Sequence, residues 1–261
     1  MQKEAVKFED SCIMEGMTSL RALIAARELS VNDRPIERVF YDASREEKIK
    51  KELSYLRHVS ERMGDFPILP LSPEELSEKT LGNSHGGIIA ECGKRTLPQL
   101  KSSIQQIRPG FYAMIQGIED PYNFGYALRS LYACGIDGII LAERNWMSAA
   151  GVVARASAGA SEQLPIYVSE PHEAISLFKE LDHTVVCADE RTDNLLHTTP
   201  LKKPLLLIVG GERRGISHFI LESADVLVKI PYGRDFHASL SAASAATIMA
   251  YEIARQNGFS T

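Results

Sequence analysis

From Phe111 onward, short apolar runs alternate with segments whose apolar residues recur every three to four positions. The runs near 111–116, 137–142, 164–168, 184–188, 204–209 and 225–230 predict strands, with helices or loops between them. PLLLIVG and DVLVKIP are continuously apolar rather than alternating, as expected of parallel strands buried on both faces. The chain closes with a predicted helix from about His237 to Gln256, whose first half, ASLSAASAA, is crowded with small residues. A neighbouring backbone or a ligand can approach such a surface closely, although packing between helices is its ordinary use.

The first hundred residues follow another plan. Residues 12–29 predict an amphipathic helix, 35–42 a short strand, and 44–64 a solvated helix with Ile49, Leu53 and Leu56 on one side. FPILPLS predicts a further strand, and residues 72–80 a helix opened by a serine cap and a proline at its first position. LGNSHGGIIAEC ends this part in a glycine-rich turn and a strand. The fold class is therefore α/β: a small domain over 1–97, a polar linker over 98–110 bounded by prolines, and a parallel-sheet domain over 111–261.

Three loops of the second domain carry candidate chemistry. After FYAMI comes an acidic, proline-bearing turn, and Asn123 stands at the expected N-cap of a helix ended by Gly135. Gly125 and Arg129 are four apart, on a face largely separate from the stripe of Phe124, Leu128, Leu131 and Tyr132. An arginine one turn into a helix at a sheet edge can hold an anion; a plain surface arginine is the alternative. The second loop is VGGERRGIS. Gly210 and Gly215 have the separation of a phosphate-binding loop, but Ile216 replaces its lysine, which disfavours a nucleotide triphosphatase. GxGxxG is absent too. The third, IPYGRDFHASLS, leads from a strand end into the last helix. In an open α/β sheet, ligands lie beyond the carboxyl ends of the strands. Three such ends with glycines and polar groups point to one shared pocket.

Composition narrows the partners. The chain has 261 residues and a net charge of −5, with 15 basic and 17 acidic residues in 1–100 against 14 and 17 in the rest. Any RNA binding must come from a local patch. Cys12, Cys92, Cys134 and Cys187 are scattered without a CxxC pair and read as reduced thiols of a cytoplasmic protein. The seven histidines show no metal-ligand spacing, so no metal is expected. No apolar run approaches the ~20 residues that span a bilayer, and no signal peptide is expected.

DPYNFGYALRSLYACGIDGIIL, IVGGERRGIS and IPYGRDFHASLSAASAATIMAYE resemble, in order, the three motifs of the SpoU (TrmH-like) RNA 2′-O-ribose methyltransferases of the SPOUT class. ARASAGASEQLPIY (154–167) resembles the family's alanine-serine-glycine-alanine segment. Residues 15–92 are similar to the RNA-substrate-binding domain often found ahead of the catalytic one, with a fold like a ribosomal protein of the L30 type. The resemblance implies a deep trefoil knot, S-adenosylmethionine as methyl donor, a homodimer, and ribosomal or transfer RNA as substrate. It places Asn123, Arg129, Glu212 and Ser239 at catalytic positions. It places Ala188, Gly210, Gly211, Glu212, Ile230, Ser239 and Leu240 around the methyl donor, with Asp189 beside them.

Two departures stand out. Ser241 occupies the position of the family's usual asparagine, and Arg213 that of a small residue. The first supports a competing function, an RNA-binding protein that keeps the pocket without turnover. A generic Rossmann-type methyltransferase is a third reading, and it lacks its glycine loop after the first strand.

Overall fold

The computed structural model describes residues 12–82, 85–118, 120–143, 146–211 and 215–259. Contacts divide the described residues into two compact units: those up to 96 with 146–163, and those of 97–143 with 164–259.

In the first unit, strands β1 (Cys12–Glu15), β2 (Ile36–Asp42), β3 (Ile68–Leu71) and β4 (Ile88–Cys92) form a sheet in the order β1-β4-β2-β3. β4 is antiparallel to both neighbours and β3 is parallel to β2. The helix expected from residue 12 begins only at Gly16, as α1 (Gly16–Glu28). CIME pairs with β4 instead, and Gly16, at φ +81°, turns the chain out of the strand. A four-residue run is too short for periodicity to separate strand from helix. Helix α2 (Lys50–Met63) buries Leu53, Leu56 and Val59 as its pattern requires. Helix α3 (Pro73–Lys79) opens with Pro73 and a reciprocal capping box between Ser72 and Glu75.

Residues 146–163 also belong to this unit, so the domain expected over 111–261 is interrupted. Helix α5 (Ala150–Ala156) lies so close to β1 that a β-carbon on Gly151 would overlap the Ile13 carbonyl. Helix α6 (Ala160–Gln163) carries Glu162, whose carboxylate accepts from Arg34 Nε at 2.9 Å and Asn32 Nδ2 at 2.7 Å. Glu162 and Arg34 are both buried. Such a pair is tolerable only when its other hydrogen-bonding groups are met. Arg34 Nη1 donates to the Gly93 carbonyl and Arg95 Nη1 to that of Ser161, each at 2.9 Å. These polar ties hold the segment where it is.

In the second unit, β5 (Phe111–Ile115), β6 (Gly138–Leu141), β7 (Ile166–Val168), β8 (Thr184–Ala188), β9 (Leu205–Val209) and β10 (Val226–Val228) form one sheet, ordered β10-β8-β9-β5-β6-β7. Every pairing is parallel, as the continuous apolar runs predicted. Pro98 and Leu100, in the expected linker, hydrogen-bond to Val168 at the sheet's β7 edge.

Helix α7 (Pro171–Glu180) and helix α8 (His218–Ser223) cover the face presenting Tyr112, Met114, Leu206 and Ile208. Helix α4 (Pro121–Ala133) and helix α9 (Ala242–Asn257) pack on each other, and α9 also meets β9. Both helices start later or earlier than expected. α4 is capped by Asp120, which accepts the Asn123 N–H at 2.9 Å, with Pro121 at its first turn. Asn123 is thus inside the helix rather than its cap. Gly125, placed by spacing away from the apolar stripe, is buried with it. α9 starts at Ala242 rather than near His237, because Ser241 supplies the cap and residues 231–240 form a loop.

Candidate active site

β5 sits between β6 and β9, and it is followed by α4 while β9 leads towards α8. The chain leaves these adjacent strands towards different helices, so a crevice opens beyond their carboxyl ends. The two loops touch through bare backbone. The Gln116 N–H donates to the Val209 carbonyl at 3.0 Å, and Gly117 then turns with φ +64°. A β-carbon on Gly211 would overlap the Gly117 carbonyl, and one on Gly210 would lie 2.6 Å from the Gly215 carbonyl carbon. Gly215, at φ +59°, closes the loop by donating its N–H to the Gly211 carbonyl at 3.1 Å. Glycines are required here by space and by dihedral angle.

The other candidates follow the same rim. Ala188 ends β8 in register with Val228 of β10, and Ile230 comes two residues later. Asp189 is engaged locally: its two oxygens accept from Arg191 Nε at 3.0 Å and Nη2 at 2.9 Å. Those hydrogen bonds hold its carboxyl below the ordinary aspartate range. Ser239 is exposed and Leu240 half-buried in the loop ahead of α9, where the Leu240 N–H donates to the Tyr232 hydroxyl at 3.3 Å. Arg129 is exposed on α4 and has no hydrogen bond or ion pair among the described residues. Glu212 and Arg213 lie outside the described residues.

Beside this rim runs a cleft of about 640 Å³. Ser130 and Ala133 of α4, and Cys134 just after it, line it with Ile248 and Tyr251 of α9, and with Ile230 and Pro231. Glu252 is its acidic member, and hydrogen bonds from Arg255 bring that carboxyl down to about 2. Sequence reasoning missed the cleft. Ser130 and Ala133, three apart on α4 and off its apolar stripe, are the trace it leaves there in the sequence. Among the described residues no cluster of His, Cys, Asp and Glu could hold a metal ion, and no helix is long and apolar enough to cross a membrane.

The family model of the SpoU rRNA Methylase family matches residues 110–251, which span the sheet, the glycine loops and most of α9. The chain belongs to this family. By that membership it is an RNA methyltransferase. A TrmH family tRNA/rRNA methyltransferase of Bacillus subtilis, YacO, is 27% identical over 189 residues, or 70% of this chain and 76% of YacO. The 23S rRNA (guanosine-2′-O-)-methyltransferase RlmB of Bordetella pertussis is 25% identical over 224 residues, covering 85% of this chain and 89% of RlmB. An AdoMet-bound rRNA methyltransferase structure from Sinorhizobium meliloti aligns with a TM-score of 0.76 over 98% of this chain and 90% of its own, at 21% identity. That last likeness is one of fold.

Within the family, Ser241 has a visible task. Its Oγ accepts the Ser244 N–H at 3.2 Å and lies 3.0 Å from the Ser244 Oγ. The hydroxyl is committed to the start of α9.

Proposed function

We propose that the protein transfers a methyl group from S-adenosylmethionine to a ribose 2′-hydroxyl of ribosomal or transfer RNA, in the cytoplasm. The observation that carries this is the side-chain-free contact of Gly117 with Gly211 at the switch point of the sheet. A ligand there meets backbone rather than side chains, and it can lie flat against the Gly210–Gly211 turn. Ala188, Ile230 and Leu240 supply apolar walls, and Ser239 a hydroxyl; Glu212 belongs to the same turn by sequence.

The reaction is an in-line displacement. The ribose oxygen forms a bond to the methyl carbon as the carbon–sulfur bond breaks, and the hydroxyl proton leaves to a phosphate oxygen or water. Holding the two reactants in near-attack geometry supplies several kcal/mol without covalent help. An arginine side chain stays protonated and offers no acceptor for a further proton, so Arg129 is not the base. Its fork fits the adjacent phosphate and steadies charge growing on the attacking oxygen. Asn123, in the first turn of the same helix, is its neighbour in the catalytic set.

The fuller reading includes a trefoil knot, a homodimer and an RNA-binding first domain. Strand order supports the knot: β9 is inserted between β8 and β5, and the chain then passes outside β8 before returning as α9. The cleft between α4 and α9 supports the dimer, because its walls are mostly apolar and Tyr126, Tyr132 and Tyr251 stand exposed on the same two helices. Titration calorimetry tests the ligand. Heat with S-adenosylmethionine or its demethylated product, and none with ATP or nicotinamide dinucleotides, is expected. Tight ATP binding without heat from the methyl donor would end the proposal.

A further inference from the structure

The loop between β10 and α9 holds two aromatic rings that the methyl-donor site does not use. Tyr232 and Phe236 are 43% and 56% exposed, and their ring centroids lie 6.0 Å apart with the planes tilted by 57°. Two neighbouring rings standing in water on a loop offer a flat apolar surface that a partner can cover. Within the loop, the Tyr232 hydroxyl accepts the N–H of Leu240, one of the candidate methyl-donor residues, at 3.3 Å. Arg234 stands between the rings in sequence, exposed and without an ion pair among the described residues. Asp235 faces His237 at 3.7 Å.

Two kinds of partner can cover aromatic rings here. A second copy of the chain prefers apolar surface with few charges at its centre. The cleft between α4 and α9 fits that description better than a loop that reads Tyr-Gly-Arg-Asp-Phe-His. Rings alternating with a free cation fit single-stranded nucleic acid, whose bases stack on aromatic faces while its phosphates meet the arginine. Stacking also answers a difficulty of charge. The chain carries −5, so RNA affinity has to be local and partly independent of net charge. A ribose whose 2′-hydroxyl must meet the methyl donor in line is best presented by a nucleotide drawn out of its stack, and the displaced base then needs a platform.

We infer that Tyr232 and Phe236 form a stacking platform for an unstacked RNA base beside the methyl-donor turn, with Arg234 contacting the adjoining phosphate. This rests on the proposed methyltransferase reading for its substrate class, and its test does not depend on turnover.

The probe is a short single-stranded oligouridine, compared with an RNA duplex of equal length. Phe236→Leu should weaken oligouridine binding about tenfold, the usual worth of one stacked base. Affinity for S-adenosylmethionine and molar mass by light scattering should not change. Phe236→Trp should restore binding, and its fluorescence, read above the chain's one native tryptophan, should be quenched by oligouridine and not by the duplex. Tyr232→Phe keeps the ring and removes the hydroxyl, so it should bind RNA like the parent. Unchanged oligouridine affinity in Phe236→Leu would overturn the inference. So would a fall to monomer mass, which would make the rings an interface between copies. A parent that binds no methyl donor would remove the methyltransferase reading, while the quench and the affinity ratio would still decide whether the rings stack bases.

Discussion

The carbonyl of Gly117 occupies the space that a β-carbon on Gly211 would need. One glycine follows β5 and the other follows β9, so this contact fixes the separation of the two loops that frame the crevice. Gly211→Ala should therefore cost about 1–3 kcal/mol of stability, as overpacking does. It should also weaken methyl-donor binding more than Gly233→Ala, since Gly233 has open space around its α-carbon. Chemical denaturation and calorimetry of both variants check this. Equal effects would show that the close approach is not part of the site.

Arg129 is predicted to act in turnover and not in donor binding. Its side chain is exposed and makes no described contact that would stabilise the fold. Arg129→Ala should leave the melting temperature and S-adenosylmethionine affinity near the parent's. Turnover should fall by roughly two to three orders of magnitude, as on losing a partner for transition-state charge. Arg129→Lys should recover little, because a point charge does not replace a planar fork. Parental turnover in the alanine variant would make Arg129 an ordinary surface residue.

The parallel sheet was legible in the sequence because strands such as Leu205–Val209 and Phe111–Ile115 are apolar at every position and buried on both faces. The glycine turn was legible because paired glycines interrupt such a run. Other features were hidden by distance or by length. Asp120 displaced Asn123 as the cap because both residue types accept a backbone N–H, and only the turn geometry chooses between them. The short run CIME carries no usable period. The placement of 146–163 depends on Glu162 meeting Arg34 across 128 residues, which no local pattern announces.

Ser241 is predicted to matter through α9. Its hydroxyl caps the helix that packs on α4, so Ser241→Ala should cost about 1 kcal/mol of stability. Ser241→Asn should be tolerated, since asparagine caps as well as serine, and it can raise activity if its amide also reaches the nucleotide. Thermal melts and single-turnover methyl transfer check both effects. A large loss of activity in Ser241→Ala at unchanged stability would assign the hydroxyl to chemistry.

Cys134 reports on assembly. It is partly buried in the α4–α9 cleft, with its thiol raised above the ordinary range by that burial. Cys92 and Cys187 are buried, and burial pushes the thiols of Cys12 and Cys187 up to about 12. Maleimide should therefore modify Cys134 first in dilute protein. If two copies meet across the cleft, labelling should slow as protein concentration rises through the dimer range. A rate independent of concentration, in a protein that is dimeric by light scattering, would move the interface elsewhere.

Methyl transfer to a ribose 2′-hydroxyl is the step on which the proposed function stands. It is tested most directly by incubating the protein with S-adenosylmethionine labelled in its methyl group and with ribosomal and transfer RNA lacking the modification, then hydrolysing the RNA in alkali. A 2′-O-methyl group removes the hydroxyl that alkaline cleavage requires, so the account predicts label in alkali-resistant dinucleotides, abolished by Arg129→Ala. Label in single nucleotides would place the methyl on a base. No label in any RNA from the parent, with transfer appearing in Ser241→Asn, would show a pocket that has lost its turnover and would contradict the account.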